Sequence, residues 1–281
     1  MIWRCRDVTF DLTDRVLVMG IVNVTPDSFS DGGRYLDPGA AVARCHDLLA
    51  EGADLLDLGG ESTRPGSPAV PAGEQWRRLA PVLTRMAKER PEAAISIDTR
   101  SAEVAGRALA AGARVVNDVS ALADPGMAGA VAAAGAGLVL MHMRGTPETM
   151  QRDTGYANVT AEVAEYLRGR LSAAEASGVG RECVALDPGI GFGKSAAGSL
   201  ELLARIPVLA AIGRPVLVGA SRKSFLARIA GDEGPPEDRV PASLAAAAVA
   251  VWQGAHILRV HDVAATVRAV KLTSAARKAA R

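Results

Sequence analysis

Eight short apolar runs, each followed by a polar loop and an alanine-rich helical stretch, constrain the fold of this chain most strongly. The runs are continuous rather than alternating, which is typical of parallel strands buried on both faces. They occupy residues 16–22, 54–59, 94–98, 114–119, 137–142, 183–187, 215–220 and 256–261. Eight strand–helix units in about 250 residues predict an α/β fold, a closed (β/α)₈ TIM barrel. An open doubly wound sheet is the alternative architecture.

Residues 2–14 precede the first unit and are predicted to form a short N-terminal hairpin that plugs the barrel floor. No low-complexity linker interrupts the chain, so residues 1–281 are predicted to form a single domain. Helix signals support this organisation. Asp37 followed by Pro38 marks one helix start, and Gly52 marks the end of the same helix.

Composition and charge exclude several classes of function. The chain has 281 residues, 49% of them apolar, a formal net charge of +1 and only 4% aromatic residues. The chain has neither the positive charge nor the aromatic side chains that nucleic-acid binding by charge and base stacking requires. No apolar run reaches the roughly 20 residues that span a membrane. The three cysteines, Cys5, Cys45 and Cys183, are far apart. This spacing argues against a disulfide framework and predicts a reduced, cytoplasmic setting.

Polar side chains are concentrated where the predicted strands end. In a barrel, the carboxyl ends of the strands and the loops after them form the active site. Asp98, Asn117 and Asp187 end the third, fourth and sixth strands. Each alone is most simply a residue that caps its own loop. Together they predict a dry floor rich in hydrogen-bond acceptors, which suits a planar ligand with an amidine-like edge.

A second group of polar side chains predicts an anion site. Ser221, Arg222 and Lys223 follow strand seven, and Arg259 and His261 end strand eight on one face, because residues two apart share a face. The loops after strands seven and eight commonly bind phosphate in this fold. A solvated basic rim is the alternative. His142, at the end of strand five, is equally compatible with catalysis and with ordinary packing.

Three loops carry unusual chemistry. The segment LDPGIGFGKS (186–195) is not a P-loop, because Pro188 stands where glycine is required. It is not a dinucleotide fingerprint either, because no ribose-binding acid ends the next strand. Segments 23–33 and 59–68 are rich in donors and glycine, which is typical of lids that close over a substrate.

The motifs MGIVNVTPDSFSDGG, LDLGGESTRPG, SIDTR, VNDVS, DPGIGFGK, GASRKSFL and RVHDV, in this order, resemble the dihydropteroate synthase family over residues 16–263. The resemblance implies a barrel enzyme of folate synthesis, usually a homodimer. Its reaction would join 6-hydroxymethyl-7,8-dihydropterin diphosphate to 4-aminobenzoate and release pyrophosphate. Sulfonamides would compete with the aminobenzoate.

The resemblance also implies roles for individual residues. Asp98, Asn117, Asp187 and Lys223 would hold the pterin. Arg259 and His261 would bind the diphosphate, with Mg²⁺ held at Asn23. The aminobenzoate pocket would include Thr63, Arg64 and Ser221, with apolar walls from Phe29, Pro65 and Phe192. Asp98, Asp187, Lys223, Arg259 and His261 would act in catalysis by stabilising charge, because the family's proposed route is dissociative.

Two other functions share part of this pattern. A corrinoid-linked methyltetrahydrofolate methyltransferase uses a similar pterin floor but does not need the TPDSFSD and SRKS segments. A non-catalytic, pterin-binding paralogue would be expected to lose lid or anion-binding residues. All of these residues are present in this chain, which favours the synthase.

Overall fold

A computed structural model describes residues 1–25, 37–231 and 234–280. Its main feature is a sheet of eight parallel strands, preceded by a two-stranded antiparallel hairpin. The hairpin strands are β1 (Ile2–Cys5) and β2 (Val8–Asp11). The parallel strands are β3 (Leu17–Asn23), β4 (Leu55–Gly59), β5 (Ala94–Asp98), β6 (Val115–Asp118), β7 (Gly137–Met141), β8 (Val184–Asp187), β9 (Leu217–Val218) and β10 (Ile257–Val260).

The parallel strands follow one another around a nearly closed barrel, in the order β8-β7-β6-β5-β4-β3-β10-β9. The two ends of the sheet meet where Leu186 of β8 pairs with Val216, just before β9. The backbone N–H of Leu186 donates to the carbonyl of Pro215 at 2.8 Å. These contacts confirm the predicted TIM barrel and exclude the open sheet. The predicted strand at 215–220 is shorter than expected, because only Leu217 and Val218 pair regularly with β10.

Helices surround the barrel and bury one face each against the outward side chains of the strands. They are α1 (Pro38–Ala50), α2 (Ala72–Glu89), α3 (Ala102–Ala110), α4 (Met127–Ala134), α5 (Val159–Ala176), α6 (Ala196–Ala204), α7 (Ile206–Ala210), α8 (Ser224–Ala230), α9 (Val240–Gln253) and α10 (Val263–Ala279). The Asp37 side chain caps α1, as its sequence predicts. Within the described ranges, the helices are too short or too polar to cross a membrane.

The N-terminal hairpin closes the floor of the barrel. Trp3 and Phe10 pack with their rings 5.8 Å apart, and the Trp3 indole N–H donates to the carbonyl of Cys183 at 2.8 Å. Both rings belong to one buried cluster with the lowest inward side chains of the strands, such as Leu17 and Leu55. The predicted hairpin is therefore confirmed, and its aromatic rings fill the lower barrel.

Strand periodicity carries polar side chains into the other end of the barrel. Inward positions alternate along a strand, so residues two or four apart share a face. Met19 and Leu55 lie in the floor cluster. Asn23 lies four residues after Met19, and Asp57 lies two residues after Leu55. Both therefore face inward, near the carboxyl ends of their strands. The same counting places Asp98 above Ala94, Asn117 above Val115, Asp187 above Ala185 and Arg259 above Ile257.

Candidate active site

An ion-pair network lies at the bottom of the barrel mouth, at the end of the barrel away from the hairpin. This network is called the site floor below. Arg259 lies between two buried carboxylates, with its Nε 2.6 Å from Asp57 Oδ2 and its Nη2 2.8 Å from Asp98 Oδ2. Asn117 Nδ2 donates to Asp57 Oδ2 at 3.0 Å. Asp57, Asp98 and Asn117 are at most 5% exposed. Removing either charge of such a buried pair leaves the other uncompensated, so this network fixes the positions of its members.

Several oxygens of this floor have no partner. Asp57 Oδ1, Asp98 Oδ1, Asn117 Oδ1 and the Ser96 hydroxyl oxygen are buried and accept or donate no hydrogen bond within the described structure. Their strands, β4, β5 and β6, are neighbours, with Asp57 beside Ser96 and Asp98 beside Asn117. Leaving a buried acceptor unpaired costs about 1–3 kcal/mol. The cluster therefore suits a ligand that presents several N–H groups in one plane.

The electrostatics of Asp98 reflect this burial. Desolvation raises the pKa of the Asp98 carboxyl above its ordinary value, and the guanidinium of Arg259 opposes that shift. The nearby carboxylates of Asp57 and Glu61 raise the pKa of Asp98 further. Positive charge on a bound ligand would offset both the desolvation of the Asp98 carboxylate and its repulsion by Asp57 and Glu61. The floor is therefore better matched to a cationic or proton-donating group than to an anion.

Asp187 both caps its own loop and faces the site. Its Oδ1 accepts from the backbone N–H of Gly189 at 2.7 Å, which is the structural role that the sequence left open. Burial raises the pKa of the Asp187 carboxyl, while Lys223, Lys194 and Arg259 act in the opposite direction. Asp187 therefore lies among the same cations as the rest of the site.

Lys223 connects Asp187 to Phe192. Its ammonium donates to the carbonyl of Ile190 and lies 4.3 Å from the centre of the Phe192 ring. Burial lowers the pKa of Lys223 to about 8, although Asp187 and Asp98 favour its charged form. The lysine thus remains protonated at neutral pH, beside a half-buried aromatic ring at the mouth of the barrel.

Ser221 and His261, which follow β9 and β10, form a hydrogen-bonded pair at the mouth. The Ser221 hydroxyl oxygen accepts from the His261 backbone N–H at 3.2 Å and lies 3.0 Å from His261 Nδ1. Burial and the nearby Arg259 lower the pKa of His261 to about 3, so the ring is neutral. If the hydroxyl donates to Nδ1, the ring proton lies on Nε2 and is available to a ligand. Arg222, in contrast, is paired with Asp262 and does not join this pair.

The loop between β4 and α2 carries Thr63, Arg64 and Pro65. Glu61 anchors its start, because its carboxylate accepts from Arg100 at 2.8 Å and from the backbone N–H of Val70 at 2.8 Å. Thr63 is half-buried, whereas Arg64 and Pro65 are exposed. The charge of Arg64 contributes to the lowered pKa of His261, which places this loop beside the mouth.

Asn23 ends β3 and is a candidate ligand for a cation. It pairs in register with Gly59, which in turn pairs with Asp98. A β-carbon on Gly59 would lie 3.9 Å from Asn23 Oδ1 and 3.7 Å from Asp98 Cβ. No group of three or more His, Cys, Asp or Glu side chains within the described ranges could hold a metal ion by itself. One amide oxygen fits Mg²⁺, which takes few protein ligands when a substrate phosphate supplies others.

Comparison with known proteins identifies the family. The family model described as "Pterin binding enzyme" matches residues 19–261. The dihydropteroate synthase of Escherichia coli (strain K12) is 44% identical over 258 residues, covering 92% of this chain and 90% of the relative. The chain belongs to the dihydropteroate synthase family. It is therefore an enzyme, a transferase, as the motifs predict.

Two solved dihydropteroate synthase structures from Xanthomonas albilineans share its fold. The structure with 4-aminobenzoic acid has a TM-score of 0.91 and 47% sequence identity, and covers 98% of each chain. The structure in complex with 7,8-dihydropteroate has a TM-score of 0.88 and 44% identity, and covers 99% of each chain.

The structure brings together most of the residues that the sequence assigns to the site. Asp98, Asn117, Asp187, Lys223, Arg259 and His261 interact directly or through one neighbour, whereas Phe29 lies outside the described residues. Arg259 has contacts that the sequence does not indicate. The sequence assigns it to the diphosphate, which stays a prediction, and in the structure two of its nitrogens also neutralise Asp57 and Asp98. Two buried carboxylates require a counter-charge, and Arg259 is the inward cation closest to them.

The sequence places Asp57 and Lys194 near the barrel mouth but indicates no chemical role for either. Asp57 occupies an inward position in mid-strand, two residues after Leu55. Lys194 is 4% exposed, and its ammonium lies 2.9 Å from His142 Nδ1. His142 is thus a packed, hydrogen-bonded side chain, with burial lowering its pKa to about 3. No local pattern in the sequence indicates that these two residues meet.

Proposed function

We propose that this chain condenses 6-hydroxymethyl-7,8-dihydropterin diphosphate with 4-aminobenzoate, giving 7,8-dihydropteroate and pyrophosphate. The observation that carries this proposal is the row of unpartnered, buried oxygens on Asp57, Asp98 and Asn117. Family membership and the ligands of the similar structures support it.

The pterin ring meets the chemical requirements of this floor. Its fused rings are planar, and its 2-amino group and ring nitrogens present N–H donors along one edge. Asp98 Oδ1, Asn117 Oδ1 and the free side of Asp187 would accept these donors. Lys223 would donate to the ring carbonyl, because an ammonium has three donors and the Ile190 carbonyl uses only one.

The diphosphate would bind between His261 and the top of β3. The Nε2–H of a neutral His261 would donate to a phosphate oxygen, with Ser221 fixing the ring orientation. Arg259 would supply positive charge from below. Mg²⁺ bound at Asn23 would neutralise negative charge on the departing diphosphate.

The proposed mechanism is a dissociative substitution. The bond between the exocyclic carbon of the pterin and the diphosphate oxygen breaks first, leaving positive charge on the pterin. Asp98 and Asp187, both buried, stabilise that charge without reorganising. The amine of 4-aminobenzoate then attacks the carbon and loses a proton. The side chains contribute mainly by orientation and electrostatic stabilisation.

The aminobenzoate pocket would lie between two loops. Phe192 would supply one apolar wall and Pro65 another, with Phe29 from the opening loop completing it. Thr63, Arg64 and Ser221 would bind the polar ends of the substrate. A sulfonamide, which shares the aniline ring, would compete for the same pocket.

We also propose that the chain forms a homodimer through α6–α9. These helices pack against one another. They expose Leu200, Val208, Ile229, Val249 and Trp252, each at least 38% accessible. A surface with this many large apolar side chains is typical of an interface.

The remaining sequence predictions, one domain over residues 1–281 and a cytoplasmic location, stay predictions.

A pyrophosphate-release assay with both substrates and Mg²⁺ tests the proposed reaction. We expect release that depends on both substrates and yields dihydropteroate by mass spectrometry. Methyl transfer from methyltetrahydrofolate to a corrinoid, without pyrophosphate, would instead assign the chain to the methyltransferases. Calorimetric binding of the pterin diphosphate without product at any Mg²⁺ concentration would assign it a binding role.

A further inference from the structure

Four consecutive backbone carbonyls of the β8–α6 loop are held by side chains. The carbonyls belong to Ile190, Gly191, Phe192 and Gly193, and their donors are Lys223, Gln151, Lys194 and Tyr156 in that order. The last three distances are 3.0, 2.8 and 2.9 Å. A loop with three glycines has little stiffness of its own. These side-chain contacts therefore determine where the Phe192 ring lies.

Half of these donors come from the segment between β7 and α5, residues 142–158. Gln151 and Tyr156 belong to it. Its first residue, His142, forms a hydrogen bond with Lys194. The Lys194 ammonium contacts His142 Nδ1 at 2.9 Å, the His142 carbonyl at 3.2 Å and the Phe192 carbonyl at 2.8 Å. These three acceptors match the three N–H bonds of an ammonium, although burial lowers the pKa of Lys194 well below its ordinary value.

The same segment is bonded to the other wall of the proposed aminobenzoate pocket. The backbone N–H of Gly66 donates to the carbonyl of Pro147 at 3.0 Å. Gly66 directly follows Pro65, and Pro147 is buried. A hydrogen-bonded turn around Pro147, from Thr146 to Met150, ends on the buried Met150 side chain. Segment 142–158 thus contacts both the loop that carries Pro65 and the loop that carries Phe192.

We propose that segment 142–158 is a positioning element for the second substrate, holding the Pro65 and Phe192 walls at the spacing that an aniline ring requires. This proposal rests on the proposed function. Dispersion contacts to a flat ring weaken steeply when a wall moves by a fraction of an ångström. The pterin acceptors Asp98 and Asn117 lie on strands instead, so loosening this segment acts on aminobenzoate and spares the pterin.

Two substitutions test the proposal without disturbing the core. Tyr156→Phe removes only the hydroxyl that binds the Gly193 carbonyl and keeps the ring, which lies 3.8 Å from the Arg144 guanidinium. Gln151→Ala removes the exposed donor to Gly191. Tyr166→Phe is the matched control, because Tyr166 lies on α5 and contacts His142 through its ring rather than its hydroxyl.

We expect each test variant to raise KM for 4-aminobenzoate about three- to tenfold, the effect of losing one hydrogen bond. KM for the pterin diphosphate should change less than about twofold, and Tyr166→Phe should match wild type. The double variant should raise KM for 4-aminobenzoate further, with thermal unfolding of all variants near that of wild type.

Two results would overturn the proposal. One is an unchanged KM for 4-aminobenzoate in the double variant. The other is an equal rise in KM for both substrates, which would indicate a general loss of structure. Failure of the proposed function is a separate result, because wild type and Tyr166→Phe would then also release no pyrophosphate. In that case the positioning role for an aniline ring fails with it.

Discussion

At the scale of single residues, burial sets the chemistry of this site. Asp98, Asp187 and Lys223 are ordinary titratable groups whose pKa values are shifted because the barrel mouth excludes water. Burial favours the neutral form of each, while the neighbouring opposite charges favour the ionised form. Because these two effects oppose each other, the charge of a bound ligand can change the ionisation of these three side chains.

Asp187→Asn should separate chemistry from folding. The amide retains the shape and can still accept from Gly189, but it cannot stabilise developing positive charge. We expect turnover to fall about 100-fold or more, as for loss of other preorganised electrostatic groups. Steady-state pyrophosphate release would measure this loss. Near-wild-type kcat with an unchanged melting curve would remove Asp187 from the proposed mechanism.

Lys223 should give the pH profile an alkaline limb. Its pKa is lowered to about 8, so the ammonium is present below that pH and is lost as the pH rises through it. We therefore expect kcat/KM for the pterin diphosphate to decrease above about pH 8. Lys223→Arg keeps its charge at high pH and should remove this limb even if the maximal rate is lower. A limb at the same pH in both proteins would contradict the assignment.

His261→Ala should affect the diphosphate selectively. The neutral ring is fixed by Ser221 and can donate one charge-assisted hydrogen bond to phosphate. We expect KM for the pterin diphosphate to rise about tenfold or more, with KM for 4-aminobenzoate nearly unchanged. His46→Ala provides the control, because His46 binds Glu89 on the outer helices. Equal changes for both substrates would place His261 elsewhere.

At the scale of elements, the loop after each strand is shaped by close packing as much as by turn chemistry. Gly189 has φ +63°, and a β-carbon there would lie 1.9 Å from the His142 carbonyl oxygen. The β8–α6 loop therefore passes directly against the end of β7. Ala121, in the loop after β6, also has a positive φ, +49°.

A pair of glycine substitutions isolates this close approach. Gly135 has a similar φ of +59°, but nothing lies within 4 Å of a β-carbon there. Gly135→Ala should therefore cost only the strain of the left-handed conformation, about 1 kcal/mol of unfolding free energy. Gly189→Ala should cost at least about 2 kcal/mol more, because the backbone must move. Denaturant unfolding of both variants measures the difference, and equal costs would show that the loop yields freely.

At the scale of the whole molecule, the two ends of the barrel have different functions. The hairpin and the lowest inward side chains form an apolar plug that stabilises the barrel. The polar inward side chains at the other end keep several buried oxygens without partners, and pairing with a ligand would lower the free energy of this end. The outside is divided as well, since the exposed apolar side chains of α6–α9 occupy one side.

The proposed dimer can be tested by a charge on this face. Val249→Glu places a carboxylate among the exposed apolar side chains of α9 and should give a species of one chain mass in light scattering, where wild type gives two. Leu272→Glu, on α10 and 75% exposed, should leave the mass unchanged. Wild type of one chain mass at micromolar concentration would overturn the proposal.

Much of the fold follows from local pattern. Apolar runs such as 94–98 and 137–142 end within one residue of the observed strands, because burial on both faces demands continuous apolar side chains. The sequence predicts a longer strand, 215–220, than the structure has, because pairing at the seam depends on how the sheet closes. The convergence of Asp98, Asn117 and Asp187 follows from strand order once a barrel is assumed.

By itself, the sequence determined the family, the barrel and the set of side chains at its mouth, because these depend on residue type and on spacing along each strand. Only the tertiary structure decided which groups meet: Arg259 with Asp57 and Asp98, Lys194 with His142, and Gly66 with Pro147. These contacts join residues that are distant in sequence. Burial requires each charged or polar group to be paired, and the closed barrel determines which groups lie close enough to pair.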